Sequence, residues 1–271
     1  MEYRKLGSLE VSVIGLGTLR TFDVTSETDI FRCRQIVENC IASEVNLIDC
    51  ASMYGDAEKI VGITTADKRD KFYLTSKVRC EGKEEGDAQI ARSFELFNTE
   101  YIDLYQVHNM IDWRTHLSTL EELKGQGKIG MVGVTAMVHE AYPEIIKLMK
   151  SSRIDAVQIP YNVMERECEV ELLPVAEDFG IGVLVMEPLK KGRYVKDLKQ
   201  QPDLTPLGDF GIQTWGQALL AWVVADQRVS ATIPATSRPE RIFENALPGS
   251  TVTLPQELRD YVRQETERCL S

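Results

Sequence analysis

The sequence predicts a closed α/β barrel of eight strand–helix pairs, the (β/α)8 or TIM-barrel architecture. Short, continuously apolar runs recur eight times along the chain, and segments with apolar residues at helical spacing separate them. Strands that are buried on both faces of a parallel sheet read as such runs, whereas half-exposed strands alternate with polar residues. The run GLG at 15–17 is followed by Thr18 and lacks the helix-opening glycine of a Rossmann fingerprint, so a closed barrel fits better than an open sheet.

The chain begins with a predicted N-terminal β-hairpin, in which MEYRKL and VSV flank GSLE. Its apolar residues would close the bottom of the barrel, and a frayed terminus is the alternative. These residues are Tyr3, Leu6, Val11 and Val13. The eight predicted barrel strands are VIGLGT (13–18), NLIDCA (from Asn46), FYLTSK (from Phe72), IDLYQV (from Ile102), IGMVGV (from Ile129), DAVQIP (from Asp155), IGVLVM (from Ile181) and VSATIP (from Val229).

Helices are predicted between these strands from apolar spacing and from capping residues. Ser26 is a candidate N-cap with Asp29 three residues later, which is the pattern of a helix start. The apolar positions that mark helices are Ile30, Cys33, Val37 and Ile41 in one segment and Ala218, Leu219 and Trp222 in another. Only one short helical segment, WRTHLSTLEELKGQ, separates His108 from the next strand, and one helix, PQELRDYVRQETERCL, follows Asn245. Such short substrate loops predict an open pocket.

Length and composition predict a single domain over residues 1–271. The chain has 43% hydrophobic residues and no linker-like or low-complexity stretch. No apolar run approaches the roughly 18 residues that a membrane span needs, and the charged N-terminus does not resemble a signal peptide, so we expect a cytoplasmic protein. A net charge of −11 disfavours a nucleic-acid or anionic-membrane partner. The six cysteines form no metal-like pair and are expected to be free thiols, with Cys50 a candidate for redox sensitivity.

Four reactive side chains lie at or just after the ends of neighbouring predicted strands: Asp49, Tyr54, Lys77 and His108. In a (β/α)8 barrel these ends meet at one mouth, where the chemistry of this fold takes place. Hydride delivery to a carbonyl carbon leaves charge on oxygen, and Tyr54 would donate the proton that quenches it. A nearby Lys77 would ease phenolate formation, Asp49 would fix Lys77, and a neutral His108 would orient the carbonyl oxygen.

Two other functions use the same residues. Lys77 could act as a Schiff-base nucleophile, as in barrel aldolases, although the adjacent Asp49 would keep it charged and hinder that role. Alternatively, the chain could be a regulatory or scaffold protein that binds a cofactor on this fold and turns over only incidentally. The complete set of four residues argues against that alternative.

Along nearly its whole length the sequence resembles the aldo-keto reductases. The matching stretches are YRKLGSLEVSVIGLGT, LIDCASMYGDAE, YLTSKV, IDLYQVH, GKIGMVGVT, VQIPYNVMER, GIGVLVMEPL and IPATSRPERIFENA. This resemblance implies an NAD(P)H-dependent oxidoreductase that reduces an aldehyde, a ketone or a sugar. It also implies that the four residues form the catalytic tetrad and that neither a metal nor a flavin takes part.

Carried over position by position, the resemblance also implies a cofactor site. Thr135 and Gln158 match residues that hold the nicotinamide carboxamide, although Gln158 could instead be a buried amide that satisfies backbone groups. Arg241 and Glu244 match the adenosine-phosphate end, with a surface ion pair between them as the alternative. The full predicted set is Thr18, Arg20, Asp49, Thr135, Gln158, Met186, Pro188, Leu189, Thr236, Arg241, Glu244 and Asn245.

The sequence departs from the family pattern at three cofactor positions. Ala136 replaces an asparagine at the carboxamide, Met186 replaces an aromatic residue at the nicotinamide ring, and Ala235 replaces a lysine at the 2′-phosphate. Arg241 retains a cation at the phosphate end, so NADP(H) is expected in preference to NAD(H). The candidate rim of the pocket is Leu19, Met53, Asn109, Met110 and Trp113, and the methionines and the tryptophan could equally belong to the core.

Overall fold

The structure is a computed structural model that describes residues 1–251 and 253–271. Its main sheet has eight parallel strands, which are adjacent in space in the order in which they occur in the sequence. The strands are β3 (Leu16–Gly17), β4 (Leu47–Asp49), β5 (Tyr73–Val78), β6 (Ile102–Val107), β7 (Ile129–Thr135), β8 (Ala156–Pro160), β9 (Gly182–Met186) and β10 (Ala231–Thr232). The predicted (β/α)8 barrel is therefore confirmed.

The barrel closes between its first and last strands, which are much shorter than the apolar runs that predicted them. Parallel bridges join Ile14 to Thr232 and Gly17 to Ala235. The two segments approach closely at Gly17, where an added Cβ would lie 2.6 Å from the carbonyl oxygen of Ile233. A side chain at that position would push the closing strands apart, so the barrel can close here only around glycine.

Helices cover the outside of the barrel and alternate with its strands. The ten α-helices of the described chain are α1 (Glu27–Ala42), α2 (Ala57–Thr65), α3 (Lys83–Phe97), α4 (Trp113–Gly125), α5 (Tyr142–Lys150), α6 (Leu172–Asp178), α7 (Arg193–Lys196), α8 (Trp215–Val224), α9 (Arg241–Ala246) and α10 (Gln256–Leu270). None of these helices is long and apolar enough to cross a membrane.

Capping residues account for the starts of two of these helices. The Ser26 hydroxyl accepts the backbone N–H of Asp29 at 3.1 Å, which confirms the predicted start of α1. Thr214 and Gln217 form a reciprocal capping box at the start of α8. The connection before α8 runs from Glu187 to Thr214. The short-loop prediction concerned two other segments, the one after His108 and the one after Asn245. The turn between β6 and α4 is short as predicted, and α10 is the one α-helix that follows α9 in the described chain.

The N-terminal hairpin plugs the bottom of the barrel, as the sequence predicts. Strands β1 (Tyr3–Leu6) and β2 (Leu9–Ser12) pair antiparallel. Leu6 and Val11 are fully buried in one apolar cluster with inward-pointing residues of the barrel strands. These inward-pointing residues are Leu47, Leu104, Met131, Ala156, Leu184, Ala231 and Ile233.

Successive layers of side chains fill the barrel from this apolar bottom to a polar top. Because side chains alternate between the two faces of a strand, each inward residue is followed by another two positions later. Leu47 is followed by Asp49, Leu104 by Gln106, and Ala156 by Gln158. The polar layer therefore lies directly above the apolar layer, at the carboxyl ends of the strands.

A close helix crossing at Gly62 supplies a stability test of this packing. An added Cβ at Gly62 in α2 would lie 2.3 Å from the carbonyl oxygen of Leu96 in α3. Helix propensity favours alanine by about 0.8–1.0 kcal/mol, but overpacking typically costs about 1–3 kcal/mol. We predict that Gly62→Ala lowers the free energy of unfolding measured with denaturant. Gly125→Ala, which meets no atom within 4 Å, should be neutral or stabilising. A stabilised Gly62→Ala protein would contradict the packing argument.

Candidate active site

A buried ion pair between Asp49 and Lys77 forms the centre of the site. Asp49 is the last residue of β4 and Lys77 is the penultimate residue of β5. The Nζ of Lys77 lies 2.7 Å and 2.8 Å from the two carboxylate oxygens of Asp49, and it also donates to the carbonyl oxygen of Cys50 at 2.6 Å. Both side chains are almost fully buried. Burial alone would lower the pKa of Lys77, but the attraction of Asp49 outweighs it and the pKa is raised, so Lys77 stays charged.

Two neutral donors complete the surroundings of the Asp49 carboxylate. The hydroxyl of Thr75 donates to Oδ1 at 2.6 Å, and the amide Nε2 of Gln158 donates to Oδ2 at 3.3 Å. The backbone N–H and the hydroxyl of Thr18 both donate to the Asp49 carbonyl oxygen, at 3.1 Å and 2.9 Å. A buried carboxylate costs less when its oxygens are hydrogen-bonded, so Thr75 and Gln158 offset part of the cost of burying Asp49.

Tyr54 lies beside this ion pair, with Lys77 Nζ 5.5 Å from the centroid of its ring. A turn places it there, because the Tyr54 N–H donates to the Ala51 carbonyl oxygen at 3.0 Å and Gly55 follows with a φ of 61°. An added Cβ at Gly55 would also collide with the carboxylate of Asp23, so this position requires glycine. Burial raises the pKa of Tyr54 and nearby Asp49 raises it further, whereas Lys77 lowers it. The tyrosine is therefore protonated at neutral pH and faces a fixed cation.

His108 completes the set directly after β6. Its ring and that of Tyr54 meet edge to face, with centroids 6.1 Å apart and an interplanar angle of 79°. Burial and the nearby charges of Lys77 and Arg79 lower the pKa of His108 to about 3. The imidazole is consequently neutral throughout the physiological pH range, and its buried Nδ1 has no partner within the described chain.

The predicted nicotinamide-end residues lie together in the same layer. Thr135 ends β7 and stands in register with Gln158 on β8. Within the described residues the side-chain amide of Gln158 bonds to the side chains of Asp49 and Gln106, and to none of the backbone groups that the alternative interpretation required. Met186 is the half-buried last residue of β9, followed by buried Pro188 and half-buried Leu189.

The residues predicted for the phosphate end follow β3 and β10, and Arg20, Thr236, Arg241, Glu244 and Asn245 form no side-chain hydrogen bond or ion pair with the four reactive residues in the part of the chain that the structure describes. Arg20 is exposed, and Thr236 is held in a turn by Arg238. Arg238 pairs with Glu240 at 2.8 Å. Glu244, on α9, accepts the hydroxyl of Thr214 at 2.8 Å. The remaining two predicted positions, Arg241 and Asn245, are half-buried on α9.

The surface ion pair between Arg241 and Glu244, considered from the sequence, does not form within the described residues. The redox role considered for Cys50 also finds no support. That thiol is fully buried, and burial raises its pKa to about 12, so the reactive thiolate is disfavoured.

The sequence interpretation missed two residues near the site, Thr75 and Gln106. It also missed that Asn109, named only as a rim residue, bonds to Thr135. Thr75 and Gln106 precede Lys77 and His108 by two positions, so strand alternation would have predicted that they share the same inward face. The Asn109 N–H donates to the Thr135 hydroxyl at 2.8 Å, in a left-handed backbone with φ of 53°. No local sequence signal indicates that conformation.

The chain was compared with protein families and with individual proteins. The Aldo/keto reductase family matches residues 13–264. Methylglyoxal reductase YeaE of Escherichia coli is 28% identical over 249 residues, which cover 89% of this chain and 86% of that protein. The NADH-specific methylglyoxal reductase of the same organism is 26% identical over 263 residues, with 80% and 78% covered.

A solved structure similar to this chain is also that of an aldo-keto reductase. The aldo-keto reductase of Klebsiella pneumoniae in complex with NADPH superposes with a TM-score of 0.83 at 26% identity, and covers 100% of this chain and 96% of that one. The predicted reductase class is thereby confirmed. The match over most of the chain, together with a barrel whose mouth holds Asp49, Tyr54, Lys77 and His108, shows that the protein belongs to the aldo/keto reductase family and is an oxidoreductase.

Proposed function

We propose that this protein reduces an aldehyde or ketone to the alcohol with NADPH, and that Tyr54 donates the proton. One observation carries this proposal: the protonated Tyr54 lies beside both a fixed cation, Lys77, and a neutral imidazole, His108. That arrangement supplies a proton donor, stabilisation for the phenolate that remains, and a hydrogen-bonding group for the substrate oxygen. The alternative regulatory role has no comparable observation in its favour.

The polar residues at the mouth fit a nicotinamide cofactor. Thr135 and Gln158 stand side by side and offer both donors and acceptors, as recognition of a carboxamide requires. Arg20 and Arg241 supply cations for the pyrophosphate and phosphate groups. When bound, the cofactor would supply the hydride. The Klebsiella neighbour, crystallised with NADPH, supports this assignment.

Proton transfer follows from the charges of the site. As negative charge develops on the substrate oxygen, the Tyr54 hydroxyl can donate its proton, and Lys77 stabilises the phenolate that forms. Lys77 itself does not change its charge, because Asp49 holds it protonated. A permanently charged amine is a poor nucleophile, which argues against the Schiff-base alternative.

The rim of the mouth and the relatives together indicate the substrate class. Leu19 directly follows Thr18, and Met53 directly precedes Tyr54. Their side chains are 40% and 49% exposed. Met110 and Trp113 are half-buried and pack against the core, so they belong partly to it. An open, partly apolar mouth suits a small or apolar aldehyde, and two relatives are methylglyoxal reductases. We therefore propose methylglyoxal and other short aldehydes as the first substrates to test by NADPH consumption.

A cytoplasmic location is part of the proposal. The six cysteines are all free thiols in the structure, and five of them are buried. This pattern agrees with a reducing compartment, where NADPH is also available.

We predict that Tyr54→Phe retains NADPH binding but lowers kcat/KM at least about 100-fold, because general acid catalysis contributes about 10²–10⁴-fold. The measurement is NADPH consumption with the best aldehyde, alongside a nucleotide fluorescence titration. Tyr101→Phe is the matched control, since Tyr101 lies before β6 at the opposite end of the barrel. Retention of more than about a tenth of kcat/KM, a loss below about 1.4 kcal/mol, would exclude Tyr54 as the proton donor.

We predict that NADPH binds more tightly than NADH and that Arg241→Ala narrows the difference. A charge-assisted hydrogen bond to the 2′-phosphate contributes roughly 1.5–3 kcal/mol, and NADH lacks that phosphate. Titrations of both nucleotides measure the effect, with Arg92→Ala on α3 as the control for loss of a surface cation. Equal losses for NADPH and NADH would show that Arg241 has only a structural role. Tighter binding of NADH by the unmodified protein would overturn the cofactor preference.

A further inference from the structure

Gln106 lies on β6 and points into the barrel, two residues before His108, which follows the strand. Its side chain has no solvent-exposed surface. Its amide Nε2 donates to the Oε1 of Gln158 at 3.0 Å, while its own Oε1 has no partner within the described chain. A buried, half-satisfied amide is costly. An apolar side chain of similar size would avoid that cost, so a role for the Gln106 amide must lie in the contact that it makes.

Gly133 allows this contact across the barrel. β7 lies between β6 and β8, and its residue at the level of Gln106 is Gly133. An added Cβ at Gly133 would lie 3.0 Å from the Cγ of Gln106, which is tighter than ordinary contact. The absent side chain leaves the space through which Gln106 reaches Gln158 on the strand beyond.

The Asp49 carboxylate decides which end of the Gln158 amide faces it, and the donation from Gln106 holds that orientation. A glutamine amide has one accepting and one donating end, and the two ends are nearly equal in size. Carboxylate oxygens accept, so the Gln158 nitrogen is directed at Asp49, 3.3 Å from Oδ2. The Gln158 oxygen then faces Gln106, whose Nε2 donates to it and holds the amide against rotation. A reversed amide would place two acceptor oxygens against each other.

We propose that Gln106 is a positioning residue of the reductase site, which fixes the orientation of Gln158 and thereby supplies Asp49 with its second neutral donor. This inference rests on the proposed function and deepens it. The fixed amide also presents one defined edge to the mouth, where the carboxamide of a nicotinamide would bind. Gln106 would thus act on cofactor affinity and on the charge balance of Asp49, Lys77 and Tyr54 without touching substrate or cofactor.

The direction of the electrostatic effect follows from the surrounding charges. The titratable groups nearest to this chain of amides are Asp49, Lys77 and His108, and Tyr54 lies beyond them. Without Gln106 the Gln158 amide is held less firmly and its donation to Asp49 weakens, and a less compensated Asp49 raises the pKa of Tyr54. Loss of Gln106 should therefore move the alkaline limb of the pH profile for reduction to higher pH.

The test is a double-mutant cycle with Gln106→Met and Gln158→Met, in which NADPH dissociation constants are measured by fluorescence titration. Gln106→Met alone should weaken NADPH binding about 3- to 10-fold, the equivalent of one hydrogen bond. In the Gln158→Met background the same change should alter binding less than about 2-fold, because residues that act through one another are not additive. Gln106→Leu provides the second variant if the methionine substitution prevents folding.

The pH profile of kcat/KM separates positioning from packing. We expect an alkaline shift for Gln106→Met in the otherwise unmodified protein and no further shift in the Gln158→Met background. A loss of activity with an unmoved profile and additive losses of binding would overturn the inference in favour of simple packing. Unmodified protein that does not bind NADPH would contradict the proposed function itself, whereas normal binding that Gln106→Met leaves unchanged would contradict only the role of Gln106.

Discussion

The site depends on one interaction, the buried ion pair between Asp49 and Lys77. Neither charge could remain in the barrel interior alone, because an unpaired buried ion costs several kcal/mol. Together, with donors from Thr75 and Gln158 and an acceptor from the Cys50 backbone, they form a hydrogen-bonded buried pair in which Lys77 stays charged. This group sets the electrostatic surroundings of Tyr54, and its cation disfavours protonation of His108. The acid–base properties of the mouth thus follow from a pair that need not contact the substrate.

The barrel provides the geometry for this pair. Its parallel strands all end at one mouth, so residues far apart in sequence meet there without a dedicated loop. The hairpin and the apolar layer beneath exclude water from the bottom of the barrel, with Leu6 and Val11 fully buried. The polar layer above therefore has apolar packing on one side, and its other side faces the carboxyl-terminal mouth of the barrel. Such a setting strengthens the interactions of Lys77 with its neighbours and still admits a substrate.

Much of this could be predicted from the sequence, because the signals are local. Continuous apolar runs predicted the strands, and the polar residue at the end of each run predicted the content of the mouth. The closing strands were predicted too long, because apolar character extends beyond the few residues that pair around Gly17. Gln106 was overlooked within an apolar run, since its contact with Gln158 crosses the barrel. The left-handed turn at Asn109 depends on a bond to Thr135, another strand end, and has no local signature.

The measurement that tests the central claim most directly is the coupling between Asp49 and Lys77 in the free energy of unfolding. It compares Lys77→Met, Asp49→Asn and the double variant by denaturant titration. The account predicts that Lys77→Met alone costs about 3–5 kcal/mol, because it leaves the Asp49 charge buried without its partner. Adding Asp49→Asn should recover much of that loss. Single variants that each cost less than about 1 kcal/mol, or losses that simply add, would show that the ion pair is not the interaction on which the site depends.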